Sequence, residues 1–231
     1  MSKPSPCILV VDDDVNVLNL LRRLLINEGY RVIAANNGEE ALALFEKHPI
    51  NMVLLDIIMP TVNGYEVCQR IRQHSTIPII MLTAMGRDED KVKGFDSGAD
   101  DFVSKPFSTE VLLVRIKAVL RRSNETLFKL SCSTYHNGRL EIEFDKRWVS
   151  VDGREVRLTP TEFRLLHELL LNKGEILTHT QLLQRVWGEN YQNEIEYVHV
   201  FVRKLRTKLG LRHQGSGAIE SISSVGYRFN E

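Results

Sequence analysis

Asp12-Asp13-Asp14 ends one short apolar run of this chain, Asp56 ends another, Thr83 a third, and Lys105 follows a fourth. If those runs are neighbouring strands of a parallel sheet, their carboxyl ends lie along one edge, and side chains far apart in sequence meet there. Carboxylates gathered in one cleft repel one another, and each raises the pKa of its neighbours. A hard divalent cation relieves that repulsion, and magnesium favours a few carboxylates together with water and phosphate oxygens. With the charge balanced, one carboxylate can act as a nucleophile toward phosphorus and form an acyl phosphate. The phosphoryl oxygens then need stabilisation, for which Lys105 supplies an ammonium and Thr83 a hydroxyl. A single Asp at a strand end is ordinarily a helix cap; the joint occurrence at four strand ends is what points to phosphoryl transfer.

The elements that would position these groups are legible as patterns. Ile8–Val11, Arg31–Ala35, Met52–Leu55, Ile77–Leu82 and Asp101–Val103 are short apolar runs, as expected of strands buried on both faces. Between them apolar residues recur at helical spacing: Val15, Leu18, Leu21, Leu25; then Ala41, Leu42, Phe45; Val67, Ile71; Val92, Phe95; and Leu112, Ile116, Val119. Five such units predict an α/β domain with a five-stranded, doubly wound parallel sheet and helices on both faces.

Ser123 to Ser133 breaks this rhythm and reads as a linker, which divides the chain into 1–122, 123–133 and 134–231. Beyond it, Arg139–Glu143 and Trp148–Val151 alternate with period two, Asp152-Gly153 is a hairpin turn signal, and Val156 and Leu158 continue a small antiparallel sheet. Thr159-Pro160-Thr161-Glu162 opens a helix whose buried stripe is Phe163, Leu166, Leu169 and Leu170. A second helix is expected near Thr180–Trp187, a third near Asn193–Leu209, and a closing strand pair over Ala218–Phe229, giving a smaller α+β domain.

Composition excludes several classes. With 231 residues the chain accommodates two ordinary domains, and 43% hydrophobic with 26% charged residues excludes a disordered chain. Thirty basic against thirty acidic residues exclude a histone-like polycation and an acidic tail. No apolar run approaches the ~20 residues that span a bilayer, and Met1–Pro6 lacks a signal-peptide core, so a cytoplasmic location is expected. The cysteines Cys7, Cys68 and Cys132 have neither disulfide nor metal spacing. The neutral total still hides a basic segment. The third helix carries Arg203, Lys204, Arg206 and Lys208, with Arg212 beyond it, and no acidic residue falls between Tyr197 and Ile219. Its apolar side is Val198, Val202, Leu205 and Leu209. Such a helix suits phosphate contacts and the major groove.

The motifs Val10-Val-Asp-Asp-Asp14, Leu55-Asp-Ile-Ile-Met-Pro60, Asn63-Gly64, Met81-Leu-Thr-Ala84, Gly98-Ala-Asp-Asp-Phe102 and Lys105-Pro-Phe107 resemble the receiver domain of bacterial two-component response regulators, over Cys7 to Arg122. The resemblance implies Asp56 as the residue phosphorylated by a sensor histidine kinase. It implies Asp12, Asp13, Asp56 and the backbone carbonyl of Ile58 as Mg²⁺ ligands, Lys105 and Thr83 as stabilising groups, and Thr83 with Phe102 as the switch pair. Phe102 keeps the buried ring of the tyrosine often found there but lacks its hydroxyl. In receivers the residues two beyond the phosphorylated Asp and two beyond the Thr flank the path of the attacking water. Here both are apolar, Ile58 and Met85, so a slowly hydrolysing acyl phosphate is expected.

In the second half, Leu158-Thr-Pro-Thr-Glu-Phe163, Leu165-Leu166, Gln181-Leu-Leu183, Val186-Trp-Gly188, Val202-Arg-Lys-Leu-Arg206 and Gly226-Tyr-Arg-Phe229 resemble the winged-helix DNA-binding domain of the OmpR/PhoB subfamily. That implies control of transcription through double-stranded DNA, with direct-repeat sites bound by homodimers of the phosphorylated protein, and RNA polymerase as a further partner. DNA contacts are expected from Tyr197, His199, Arg203, Lys204, Arg206, Lys208, Ser223 and Arg228, and receiver pairing from Lys91, Asp100, Asp101, Arg115, Lys117 and Arg122. Three departures stand out. The wing position usually held by arginine is Ser223. Glu196 stands where a basic phosphate contact is common, which predicts weaker DNA binding or a different base preference. Val111 replaces a glutamate of the dimer face, which predicts a weakened dimer, since exposed ion pairs contribute only ~0–1 kcal/mol each. Two other readings compete with a non-enzymatic regulator. An aspartate-nucleophile phosphohydrolase would need an acid two residues beyond the nucleophile, where Ile58 stands. A regulator acting through protein contacts would fit Ser223 and Glu196.

Overall fold

The structure is a computed structural model that describes residues 5–84, 88–124, 134–191, 194–211 and 219–230, with the backbone alone for 88–92 and 124. The chain divides into two compact units, 1–120 and 121–231. The division falls between Leu120 and Arg121, close to the boundary read at Arg122. Of the expected linker, Ser123 and Asn124 still belong to a helix, and 125–133 lie outside the described residues.

In the first unit, β1 (Cys7–Val11), β2 (Arg31–Ala35), β3 (Met52–Asp56), β4 (Ile79–Thr83) and β5 (Asp101–Ser104) form one parallel sheet in the order β2-β1-β3-β4-β5. The helices α1 (Val15–Asn27), α2 (Gly38–Lys47), α3 (Gly64–His74), α4 (Asp88–Ser97) and α5 (Thr109–Asn124) alternate with the strands. Ile8, Val10, Leu54, Ile80, Leu82 and Val103 pack in one core with Leu18, Leu21 and Leu25 of α1 and Leu112, Ile116 and Val119 of α5. Each such side chain contributes about 1.5–3 kcal/mol when fully buried. The alternate strand residues Leu9, Val53, Leu55 and Met81 are buried as well, which explains why these strands read as continuous apolar runs. β2 departs from the expectation of burial on both faces: its first four residues are exposed or half-buried. It is an edge strand and pairs only with β1.

The strand ends are held in register. Val11 lies beside Leu55, Asp56 beside Leu82, and Thr83 beside Ser104. Helices start where short polar side chains cap them: Asp14 accepts from the Asn16 amide, Asn37 from Glu40, and Asn63 from Glu66. Below the sheet edge Arg72 ties three segments together. It donates to the carbonyls of Gly98 and Ile77 and pairs with Asp100 at 2.8 Å.

In the second unit, β6 (Thr134–His136), β7 (Leu140–Glu143), β8 (Trp148–Val151) and β9 (Arg154–Glu155) form an antiparallel sheet in sequence order. The β8–β9 turn places Asp152 and Gly153 at φ 51° and 74°, as a two-residue hairpin turn demands. The strand expected to continue through Leu158 stops at Glu155; beyond it, the Val156 amide still donates to Val149. Three helices follow, α6 (Pro160–Leu171), α7 (His179–Val186) and α8 (Ile195–Leu209). Thr159 with Glu162, and Thr178 with Gln181, form capping boxes at the first two. A second sheet holds β10 (Ile176–Thr178), β11 (Ile219–Ile222) and β12 (Gly226–Phe229) in the order β10-β12-β11. The β11–β12 hairpin is the wing. The core between the helices centres on Trp187, whose ring meets Phe201 at 5.2 Å and Tyr197 at 6.0 Å.

Candidate functional site

The parallel register brings the sequence-predicted pocket together. Lys105 Nζ lies 2.6 Å from Asp12 Oδ2 and 3.0 Å from Asp56 Oδ2. The other oxygen of each carboxylate is held by the backbone: Asp12 Oδ1 accepts from the Asp14 amide and Asp56 Oδ1 from the Ile57 amide. Asp12, Asp56 and Thr83 are buried, whereas Asp13 is exposed at the rim. Burial pushes the Asp56 carboxyl above its ordinary range, against the opposing pull of Lys105. Burial also works to lower the Lys105 ammonium, but its bonds to Asp12 and Asp56 outweigh that and raise it.

Ligand oxygens of Asp12, Asp13 and Asp56 all lie within 4.8 Å of one another. Hard oxygen donors at that spacing, two of them buried, fit a divalent cation such as Mg²⁺. Ile58 sits beside them with 49% of its surface exposed, and Met85 lies outside the described residues.

Two glycines shape the surroundings. The Gly64 amide donates to the Ile57 carbonyl, and a Cβ there would collide with the Asp56 carbonyl oxygen. Phe102 is buried, with its ring edge-on to Phe95 at 4.5 Å, and Gly94 leaves the space its ring edge occupies.

Several of the residues expected on the dimer face make bonds within the chain. Asp101 is buried and pairs with Arg115 at 3.0 Å within the chain. Asp100 is not a surface residue: its Oδ2 is consumed by Arg72 and the Ile79 amide. Lys117 is exposed but reaches Glu28 at the end of α1, 2.7 Å away. Arg122, near the end of α5, is buried. The Lys91 side chain lies outside the described residues. Val111 and Val114 of α5 are exposed.

In the second unit α8 presents a narrower basic surface than its sequence suggests. Lys208 Nζ lies 2.6 Å from the buried Glu162 carboxylate, and Lys204 Nζ lies 3.9 Å from it. Arg206 donates to the Ile219 carbonyl and to Ser221 on β11, and Arg228 pairs with Glu220 at 2.6 Å. Tyr197 is buried against Trp187 and Tyr191, not presented to solvent. Ile195, Glu196, Arg203, Thr207 and Lys208 are exposed along α8 and His199 is half-buried; Glu196, His199, Arg203 and Thr207 have the spacing of one helix face. Ser223 is exposed in the wing turn, and Arg212 lies outside the described residues. Glu162 was not among the expected functional residues, although its place as the fourth residue of Thr159-Pro-Thr-Glu162 is a capping-box signal.

Both halves of the chain resemble known proteins. The family model described as the response regulator receiver domain matches residues 8–117, and that of the transcriptional regulatory protein C terminus matches 153–229. The chain is 40% identical over 227 residues to the probable transcriptional regulator ycf27 of Cyanophora paradoxa, covering 96% of this chain and 95% of that one. It is 37% identical to the transcriptional regulatory protein ResD of Bacillus subtilis, with the same coverage of both. Among solved structures, response regulator DrrB, a Thermotoga maritima OmpR/PhoB homologue, is 31% identical with a TM-score of 0.52, over 98% of this chain and 100% of that one. A cysteine-to-serine mutant of RitR reaches a TM-score of 0.80 at 26% identity over the same shares. With both halves matched and relatives spanning nearly the whole length, the chain belongs to the two-component response regulators of the OmpR/PhoB subfamily, transcriptional regulators in which a receiver domain precedes a winged-helix DNA-binding domain.

Proposed function

We propose that Asp56 accepts a phosphoryl group from a sensor histidine kinase in the cytoplasm, and that this drives receiver pairing and DNA binding. The observation that carries the reading is the position of Asp56 Oδ2, 3.0 Å from Lys105, in a pocket whose other buried carboxylate, Asp12, shares the same ammonium. Oδ2 attacks phosphorus, the bond from phosphorus to the donor nitrogen breaks, and an aspartyl phosphate forms. Mg²⁺, held by Asp12, Asp13, Asp56 and the Ile58 carbonyl, would neutralise charge on the phosphoryl oxygens. Lys105 leaves its bond to Asp56 for a phosphoryl oxygen, and the Thr83 hydroxyl at the end of β4 closes on another, with Phe102 following Thr83. Paired receivers then bring two winged helices to one duplex, and bivalency raises occupancy. The exposed α8 face and the wing are the DNA-facing surfaces, with RNA polymerase a further partner. Regulation is favoured over phosphohydrolysis because Ile58 offers no acid to protonate a leaving group.

The test is duplex DNA binding followed against salt, with and without a phosphodonor. Affinity should fall steeply with salt and rise on phosphorylation; a shallow slope unaffected by the donor would favour action through protein contacts instead.

Two further outcomes follow. Ile58→Asn combined with Met85→Glu gives polar groups that can orient the attacking water, so aspartyl-phosphate hydrolysis should accelerate, by roughly tenfold or more within the range of general acid–base effects. A phosphate-release assay at an unchanged rate would rule out apolar shielding as the cause of a long lifetime. Glu196→Lys removes a carboxylate from the exposed face of α8. It should tighten binding to mixed-sequence duplex several-fold and steepen the salt dependence by about one unit of slope, read by fluorescence anisotropy.

A further inference from the structure

Three polar rings from three elements meet beside the exposed face of α8. His199 Nδ1 lies 2.7 Å from the Tyr227 hydroxyl on β12. His179, the first residue of α7, sits edge-on to His199 at 4.7 Å and lies 5.6 Å from the Tyr227 ring. The backbone reinforces the cluster: the His179 amide donates to the Val225 carbonyl in the wing turn, and Thr178 pairs with Gly226. The recognition helix, the helix before it and the wing are thus joined through two imidazoles and a phenol.

The charges around these rings are few. From α8 come Glu196 and Arg206, which act on the Tyr227 hydroxyl in opposite senses, with Arg203 one turn beyond His199. Glu220 of β11 and Arg228 of β12 neutralise each other. β10 contributes the uncharged Thr178, and α7 contributes His179 itself. Burial, and then the neighbouring His199, hold the His179 imidazole below its ordinary range. Two imidazolium rings in contact would repel each other, and an anion beside His179 would relieve that repulsion. In helix-turn-helix proteins the recognition helix enters the major groove while the helix before it crosses the backbone, bringing phosphates toward the junction of these two helices.

We propose that His179 and His199 form a proton-linked site for a DNA backbone phosphodiester, so that the protein takes up a proton from solvent as it binds duplex. The inference rests on the DNA-facing assignment of α8 and the wing. An anionic oxygen favours the protonated imidazole, so His179 titrates higher in the complex than in the free protein. Affinity therefore rises as pH falls through the interval between those two values, and levels off on either side. Tyr227 keeps His199 oriented through a bond of its hydroxyl to Nδ1 whose direction follows the tautomer.

The experiment is mixed-sequence duplex binding by the full chain at fixed salt across about pH 6 to 8, the interval in which histidine titrates. Calorimetry near neutral pH, in two buffers of different ionisation enthalpy, counts the protons taken up. The wild type should bind several-fold tighter at the acidic end and show net uptake. His179→Gln with His199→Gln should flatten the pH dependence and abolish the uptake. His179→Gln alone, which leaves the His199–Tyr227 bond in place, should reduce both and guards against a double variant that fails to fold. An equal pH dependence in wild type and His179→Gln overturns the site while leaving the DNA-binding reading intact. No duplex binding at any pH overturns both.

Discussion

Gly64→Ala is expected to slow phosphoryl uptake by at least tenfold while leaving the output domain folded. The glycine opens α3 directly beneath the end of β3. An added Cβ would overlap the Asp56 carbonyl oxygen and stand 2.9 Å from Ile57 Cα. Both obstacles are backbone, so no side-chain rotation relieves them. Overpacking of this kind costs roughly 1–3 kcal/mol or more, and here relief requires the end of β3 to move. That displaces the Asp56 carboxylate from Lys105, at present 3.0 Å away. Intact mass after timed exposure to acetyl phosphate reads the rate. Both tryptophans, Trp148 and Trp187, lie in the second unit, so their fluorescence melt should be unchanged. A wild-type rate of uptake would mean that the strand end tolerates the movement and that the pocket is less tightly placed than its geometry implies.

Gly226→Ala is the counterpart in the output domain, with the opposite pattern of effects. The glycine begins β12 opposite Thr178 of β10. Its Cβ would run into the Leu177 carbonyl oxygen and stand 2.8 Å from both Leu177 C and Thr178 Cα. The β10–β12 pairing that roots the wing cannot survive unaltered. The tryptophan melt should fall by several degrees, since about 1 kcal/mol corresponds to ~4–8 °C in a domain of this size. DNA affinity should drop by tenfold or more as the wing leaves its place beside α8, while phosphoryl uptake stays at the wild-type rate. Unchanged DNA affinity would remove the wing from the DNA-facing surface.

The acidic pocket was legible in the sequence because it depends on local events repeated four times, each an apolar run followed by a polar or charged residue. A parallel sheet converts that repetition into convergence without any further information. The output surface was less legible because its chemistry depends on long-range partners. Lys204 and Lys208 lie in an acid-free stretch of the sequence, and the carboxylate they meet, Glu162, lies at the start of a different helix. Arg206 is likewise drawn to a carbonyl and a hydroxyl on β11. Tyr197 reads as a groove-facing aromatic, but the buried stripe of α8 is widened to receive Trp187 and Tyr191. The same limit applies to Asp100, whose buried pairing with Arg72 crosses from α3 to the start of β5. The exposed character of β2 followed from strand order, which the apolar pattern does not encode.

The most direct measurement is the intact mass of the chain after incubation with acetyl phosphate and Mg²⁺, beside an Asp56→Asn control, with oligomeric mass determined on the same samples. The phosphoacceptor assignment predicts one added phosphoryl group and dimer formation in the wild type, and neither in the control. An equal gain in both proteins, or none in the wild type, would contradict Asp56 as the switch of this regulator.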